Sequence, residues 1–125
     1  MRLVPTDRPM GEPSPPPVVV LVTGPDEATL TSIAESVVGE GLAACVNVVP
    51  GVRSVYRWND AVETEQEALG IIKTTKSALP ALERRVLALH PYSTPEFLVL
   101  SVDSGNPAYV SWITNSVPEE TPDAN

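Results

Sequence analysis

The chain has 125 residues, enough for one hydrophobic core and too few for two, so we expect a single compact domain. Its 8 basic and 16 acidic side chains give a formal net charge of -8 at pH 7. A surface of this sign repels phosphate backbones, which argues against a nucleic-acid partner. No run reaches the ~20 apolar residues that a membrane-spanning helix needs, so we expect no membrane partner either.

The two ends of the chain differ in composition from its middle. Residues 1 to 17 hold six of the fourteen prolines, which predicts a disordered, proline-rich tail over residues 1–16. The last segment, PEETPDAN, predicts a frayed acidic tail over residues 118–125. The folded domain is expected over residues 17–117. Its single cysteine, Cys45, cannot form an internal disulfide, and the start of the chain lacks a signal-peptide core, so we expect a cytoplasmic protein.

The first predicted elements are a strand and a helix. The apolar run VVVLV, residues 18–22, has the length of a buried strand. Asp26 or Thr23 can cap the following helix, and Gly39 or Gly41 can end it. One face of this helix carries an apolar stripe that consists of Leu30, Ile33, Ala34, Val37 and Val38.

Residues 42–75 have no helical period and are rich in Val, Ile, Tyr and Thr, which predicts one long hairpin. It turns at WNDAV, where Asn59 and Asp60 tolerate left-handed backbone. Its first strand would reach roughly 56 Å if extended, whereas a domain of about 100 residues has a radius of gyration near 13 Å. The outer half must therefore project beyond the sheet, and Pro50-Gly51 predicts a bend or bulge where the projection begins.

The outer half of the hairpin carries apolar side chains that need shelter, namely Val52, Val55, Tyr56, Trp58 and Val62. A two-stranded ribbon is marginal in water, so we expect it to join a neighbouring copy in a closed oligomer. A mobile arm on a monomer is the alternative. A register in which paired numbers sum to 120 sets Arg57 opposite Glu63 and Arg53 opposite Glu67. It leaves one salt-paired face and one apolar face.

The remaining elements complete an α+β order. A second helix is predicted to begin near Ser77, with Pro80 in its first turn and with Leu79, Leu82, Val86 and Leu89 facing inward. Residues 97–102 predict a buried strand, and a last helix starts at Asn106 and Pro107. This order of strand, helix, strand, strand, helix and strand predicts a ferredoxin-like fold, a four-stranded antiparallel sheet with two helices on one face.

Few residues carry chemistry. His90, the only histidine, follows the second helix, and Pro91 forces it out of helical backbone. It could cap the helix carbonyls or act as a metal ligand or an acid/base group, and no second His or Cys stands at ligand spacing. Cys45 reads as a small core residue. Glu96 and Lys73 are expected at strand ends. The side chains that either pack or line a pocket are Trp58, Tyr92 and Trp112.

Five segments occur in unbroken order between about residues 17 and 117: LVTGPDEAT, GLAACVNVVPGVRSVYRW, EALGIIKTT, LPALERRVLALHPYSTPEFLVL and NPAYVSWI. As a set they resemble the CutA family, which is linked to divalent-cation tolerance. The resemblance implies a ferredoxin-like protomer in a tight homotrimer, with an architecture shared with the PII signalling proteins. It also implies an inter-subunit cleft formed by Trp58, Lys73, His90, Tyr92 and Glu96.

Copper binding in some relatives is assigned to a cysteine and two adjacent histidines, and the matching positions here hold Val22, Leu89 and His90. His90 is thus the one implied metal ligand that is kept. We expect a non-enzymatic trimer that binds a divalent metal such as Cu²⁺, or a small ligand, at its clefts, with no obligatory cofactor.

Two alternatives stay open. One is a PII-like sensor that acts on a partner protein. The other is an enzyme that uses His90 and Glu96 as acid and base, with Lys73 for an anionic substrate. Glu63, Glu65 and Glu67 share a strand face, which could bind cations or could stay solvated or paired with arginine.

Overall fold

The computed structural model describes residues 15–118. Its main elements in chain order are β1 (Pro17–Gly24), α1 (Glu27–Gly39), β2 (Cys45–Trp58), β3 (Ala61–Thr75), α2 (Leu79–Leu89), β4 (Leu98–Ser101) and α3 (Pro107–Ser116). The strands form one antiparallel sheet in the order β2-β3-β1-β4. The predicted α+β class with a four-stranded antiparallel sheet is therefore confirmed. The predicted tails, residues 1–16 and 118–125, lie outside the described residues except at residues 15, 16 and 118.

The hydrophobic core lies between one face of the sheet and the helices α1 and α2. Side chains along β1 alternate between buried and half-buried, because successive residues of a strand point to opposite faces. Full burial of a large aliphatic side chain stabilises a fold by roughly 1.5–3 kcal/mol, so this face determines how the helices pack. The core side chains include Val20, Val22, Leu30, Ile33, Val37, Ile72, Leu82 and Val86.

Local side chains set the helix ends. Asp26 caps α1 by accepting a 2.8 Å hydrogen bond from the N–H of Thr29. Asn106 caps α3 through the N–H of Ala108 at 3.0 Å, as predicted. A 3-10 turn, Lys76–Ala78, precedes α2, which is why that helix begins slightly later than its predicted start. Among the described residues, no helix combines the length and the apolar character needed to cross a membrane.

The hairpin formed by β2 and β3 extends well beyond the rest of the sheet. β3 pairs with β1 only from Ala68 to Thr75. Farther out, residues 61–67 pair with β2 alone. We call residues 52–67 the hairpin arm. Most of its side chains are exposed, including Trp58 at 63% and Val62 at 68%, so the arm projects as the strand lengths predict.

The register of the arm differs from the prediction by one residue. The expected pairs of Arg57 with Glu63 and of Arg53 with Glu67 are wrong, because the arginines lie opposite Val62 and Gln66. A shift of one residue moves side chains to the other face of a strand. One face of the arm therefore carries aromatic and acidic side chains together, and the expected purely apolar face does not form. The members of this mixed face are Tyr56, Trp58, Glu63, Glu65 and Glu67.

The turn explains the register. Asn59 and Asp60 both take left-handed backbone, with φ of 50° and 62°. This makes a two-residue loop, which pairs Trp58 directly with Ala61. The predicted register would need one more residue in the loop. The bulge at Pro50-Gly51 is confirmed, because the pairing shifts by one residue between Val49 and Val52, and Gly51 has φ of 71°.

Candidate functional site

His90 lies where α2 ends and the chain turns back toward the sheet. Its N–H donates to the carbonyl of Val86 at 2.9 Å, and its backbone is extended, with φ of -80° and ψ of 137°. Pro91 favours this conformation in the residue before it. The side chain is only 7% exposed. It lies over Gly24 at the end of β1, where a Cβ atom would come within 3.7 Å of the ring nitrogen Nε2.

Both nitrogens of the His90 ring are hydrogen-bonded within the chain. Nε2 lies 2.7 Å from the carbonyl oxygen of Thr23. The N–H of Tyr92 donates to Nδ1 at 3.1 Å. Since a carbonyl oxygen can only accept and an N–H can only donate, Nε2 carries the hydrogen and Nδ1 offers its lone pair. His90 is therefore a neutral imidazole with both ends in use.

Tyr92 connects this turn to β3. Its ring lies against the His90 ring, with centroids 4.7 Å apart. Its hydroxyl donates to Oε2 of Glu67 at 2.7 Å. Burial, followed by the hydrogen bond to Glu67, raises the pKa of the Tyr92 hydroxyl above its usual value. The hydroxyl is thus a permanent donor at neutral pH.

Glu96 lies near the same carboxylate. It is half-buried, and its carboxyl group lies near Thr23. Burial and then the charge of Glu67 raise the pKa of Glu96, and the interaction with Thr23 opposes this rise. We call these residues the root cluster, because Glu67 lies at the base of the hairpin arm. The root cluster consists of Thr23, Glu67, His90, Tyr92 and Glu96.

An acidic row continues outward from the root cluster along the arm. Glu63 and Glu65 lie on the same face of β3 as Glu67, because alternate residues of a strand share a face. The Tyr56 hydroxyl donates to Oε1 of Glu65 at 2.5 Å, and this bond raises the pKa of Tyr56 to about 12. Two tyrosines from different parts of the chain thus donate to two neighbouring carboxylates of one strand.

Trp58 and Lys73 lie far from the root cluster within one chain. Lys73 is on β3 and hydrogen-bonds the side chain of Asn47. Trp58 pairs with Ala61 at the tip of the arm. Along β3 each position is about 20 Å from Glu67, in opposite directions. One chain therefore brings together three of the five residues of the implied cleft, His90, Tyr92 and Glu96, and leaves Trp58 and Lys73 apart.

Two members of the root cluster are not predicted by the sequence pattern. The pattern predicts Thr23 as a possible helix cap and Glu67 opposite an arginine. One signal could have identified Glu67. The bulge at Pro50-Gly51 in β2 marks where the hairpin leaves the sheet, and Glu67 is the residue of β3 at that level, where the pairing of β3 with β1 has ended. Thr23 gives no such signal, since its carbonyl oxygen is chemically the same as that of any residue.

The three positions implied for copper do not fit a copper site. Val22 is buried in the core and has no donor atom, and Leu89 likewise offers none. His90 has its one ring lone pair occupied by Tyr92. Within residues 15–118, no three His, Cys, Asp or Glu side chains are grouped so as to hold a metal ion. Metal binding by His90 stays a prediction that this geometry does not support.

The fold and the site define a class of small α+β proteins. In this class an overlong hairpin projects from one side of a four-stranded antiparallel sheet, and a cluster of hydrogen-bonded polar groups lies at its base. This chain belongs to the family described as CutA1 divalent ion tolerance protein, which matches residues 18–116. The resemblance found in the sequence segments is thereby confirmed.

Individual relatives agree with this assignment. The divalent-cation tolerance protein CutA of Thermus thermophilus is 50% identical over 95 residues, covering 76% of this chain and 92% of the relative. The rice protein CutA 1, chloroplastic, is 46% identical over 104 residues, which is 83% of this chain and 59% of the rice protein. The crystal structure of CutA1 from Oryza sativa matches with a TM-score of 0.82 at 45% identity, covering 86% of this chain and 98% of that chain.

Proposed function

We propose that this protein forms a homotrimer and contributes to divalent-cation tolerance by binding a divalent cation or a small ligand in clefts between subunits, without catalysing a reaction. This proposal rests on the distance along β3 that separates Trp58 and Lys73 from the root cluster within one chain. Both residues belong to the cleft implied by the family resemblance, together with Tyr92 and Glu96. The set of cleft residues is complete only if a neighbouring subunit places its own Trp58 or Lys73 beside the root cluster of the first subunit.

The uncovered sheet face supports assembly. In β4, Leu98 and Leu100 are 57% and 49% exposed, and they pair with Leu21 and Val19 of β1. These four side chains share the sheet face opposite α1 and α2, and half-buried Leu69 and Ile71 continue it on β3. Burying apolar surface stabilises by about 25 cal/mol per Å², and a closed symmetric assembly would bury this face and the hairpin arm together.

The charge of the cleft favours a cationic ligand. Glu67 and Glu96 lie in the root cluster, Glu63 and Glu65 extend the acidic row, and the whole chain carries a net charge of -8. Carboxylate oxygens suit hard divalent cations and are also zinc ligands, whereas copper prefers imidazole and thiolate donors. A cation held here would take its ligands from two subunits, because one described chain does not complete a set.

The same proposal includes three less specific parts. The ferredoxin-like description of the protomer is supported by the order of its elements and strands. The cytoplasmic setting is supported by the single cysteine, although the name of the rice relative assigns that protein to the chloroplast. The absence of catalysis is supported by the family, which is described by ion tolerance and not by a reaction.

Sedimentation equilibrium of the full chain tests the assembly. We expect a particle of three times 13.3 kDa, about 40 kDa. Leu98→Asp on the uncovered sheet face should lower this mass, whereas Leu87→Asp, on the exposed side of α2, is the matched control and should not. A folded 13.3 kDa particle at micromolar concentration would rule out the inter-subunit cleft.

Calorimetry tests the ligand. Zinc and copper are titrated separately into the wild type and into Glu96→Gln. We expect saturable zinc binding that this variant weakens by about tenfold, because it removes one negative charge from the cleft. Glu27→Gln, on α1, is the charge-matched control. Equal affinities in both variants would reject the cleft as the cation site even if the trimer forms.

A further inference from the structure

A continuous chain of hydrogen bonds connects the end of β1 to the base of the hairpin arm. It runs from the carbonyl of Thr23 to His90 Nε2 at 2.7 Å, from His90 Nδ1 to the N–H of Tyr92 at 3.1 Å, and from the Tyr92 hydroxyl to Glu67 at 2.7 Å. Its members come from β1, from the turn after α2 and from β3. Three separate segments are thus held by one imidazole and one phenol.

Glu67 occupies a particular place in the sheet. The pairing of β3 with β1 ends at Ala68 opposite Gly24, so Glu67 is the first residue of β3 beyond β1. It lies opposite Val52, the first paired residue beyond the bulge. A bulge interrupts the ladder and bends the strand, so the direction of the arm is decided at this point.

His90 is in the tautomer that this chain of hydrogen bonds requires. Its neutral ring donates at one end and accepts at the other, and the ring lies in a buried position over Gly24, where a side chain would crowd Leu30 at 2.8 Å. The extended backbone of His90 aims the Tyr92 N–H back at the same ring. The ring thereby orients the Tyr92 phenol, which packs against it and reaches Glu67.

We propose that His90 is a positioning residue, and that the chain from Thr23 through His90 and Tyr92 to Glu67 is a brace that sets the angle at which the hairpin arm leaves the sheet. This role goes beyond ligand binding and holds whether or not the cleft takes a cation. The brace and metal coordination by His90 exclude each other, because the only lone pair on the ring is the one that accepts from Tyr92.

Nitrogen-15 NMR of the imidazole tests the first half of this inference in the assembled protein. The chain has one histidine, so its ring signals are unambiguous. We expect the pattern of a protonated Nε2 and an unprotonated, hydrogen-bonded Nδ1, unchanged when zinc is added to saturation. A change at Nδ1 that follows the zinc concentration would identify His90 as a ligand and overturn the proposal.

Hydrogen exchange of backbone amides tests the second half. Tyr92→Phe removes only the bond to Glu67. His90→Gln keeps a donor for Thr23, but its acceptor oxygen stands one bond farther from the backbone than Nδ1 and so misses the Tyr92 N–H. We expect each variant to speed exchange in residues 52–67 by about tenfold, the effect of one hydrogen bond of ordinary net strength, with little change in the β1–β3 ladder. The double variant should add nothing further, because both changes break the same brace.

Glu40→Gln is the control for an ordinary loss of stability, because it weakens the ion pair of Glu40 with Arg85, which joins the end of α1 to α2. It should leave exchange in the arm unchanged. If His90→Gln fails to fold, Tyr92→Phe and Glu67→Ala still decide the matter, since neither alters the ring and each removes the bond between Tyr92 and Glu67. Exchange in the arm that matches the wild type in these two variants would refute the brace, and so would an increase spread evenly over the whole sheet.

Discussion

The Tyr92 hydroxyl lies 2.7 Å from Oε2 of Glu67, and this contact joins the turn after α2 to the first residue of β3 beyond β1. Tyr92 is half-buried, and Glu67 is also partly shielded, so water competes weakly for the bond. A hydrogen bond to a charged acceptor in such a setting contributes more to stability than one on the open surface. The contact is therefore a measurable part of the fold as well as of the candidate cleft.

Loss of the Tyr92 hydroxyl should destabilise the hairpin arm. We expect Tyr92→Phe to lower the free energy of local opening of the arm by about 1–2 kcal/mol, because the ring is kept while Glu67 loses its donor. Amide exchange of residues 52–67 at neutral pH measures the change. Tyr56→Phe removes the hydroxyl that donates to Glu65. Both of these side chains are exposed, so this variant should have a smaller effect. Equal effects of the two variants would contradict the special position of Tyr92.

Glu96 should make stability fall as the pH rises. Its pKa is raised in the folded state, so the folded protein binds more protons than the unfolded chain between the unfolded value of about 4.5 and the folded value. The stability is therefore highest below the unfolded pKa and falls as the pH rises through the folded pKa. Glu96→Gln should remove this loss, so its stability relative to the wild type should increase from acid to neutral pH.

Asp26 provides the control of opposite sign. Hydrogen bonds from Thr29 lower the pKa of Asp26. Its contribution to the stability of the fold is therefore present above the unfolded pKa of 3.8 and is lost as the pH falls through the folded pKa. Urea midpoints measured across the acid range for Glu96→Gln and Asp26→Asn should diverge from the wild type in opposite directions. Parallel curves would show that the surroundings of Glu96 differ from those described.

Gly70 is a site where an added methyl group should stabilise the protein. Its Cβ would meet the Val22 carbonyl oxygen at 3.5 Å, Leu30 at 3.7 Å and Val46 at 3.9 Å, all ordinary contacts. Gly70→Ala should gain roughly 0.5–1 kcal/mol, because alanine costs less conformational entropy in a strand. Gly51→Ala is the matched control and should cost roughly 1–2 kcal/mol, since Gly51 has φ of 71°. Thermal unfolding of both variants checks the pair.

Leu82 should be among the most sensitive positions of the core. Its side chain is 0% exposed and packs between α2 and the sheet. Leu82→Ala should cost about 2–5 kcal/mol, from lost burial and the cavity left behind. Leu87 on the same helix is 45% exposed, and Leu87→Ala should change stability by less than about 0.5 kcal/mol. Similar losses at the two positions would mean that α2 packs through a different face.

Several parts of the fold could be predicted because they depend on neighbours along the chain. The caps at Asp26 and Asn106 use side chains that reach backbone two or three residues away. The bulge at Pro50-Gly51 follows from residues that cannot continue a regular ladder. Charge pairing predicts a register that differs from the observed one by one residue, because the length of the loop decides the register of the arm.

The candidate site was predictable only as a set of family positions. Tyr92 and Glu96 do lie together. Glu67, which accepts from Tyr92 and whose charge acts on Glu96, is predicted opposite Arg53, because its position depends on the register of the arm. The face on which a strand residue lies changes with a shift of one residue, so an error in the turn was carried to every carboxylate of the acidic row.

The sequence by itself determined the family, the α+β order of elements and the projecting hairpin, because periodicity, capping and strand length are properties of contiguous residues. Only the tertiary structure decided what His90 does. Its ring meets Thr23 across 67 positions of the chain, and Tyr92 meets Glu67 across 25. Such contacts arise from how α2 packs on the sheet, and no local pattern of residues specifies which donor will face which acceptor.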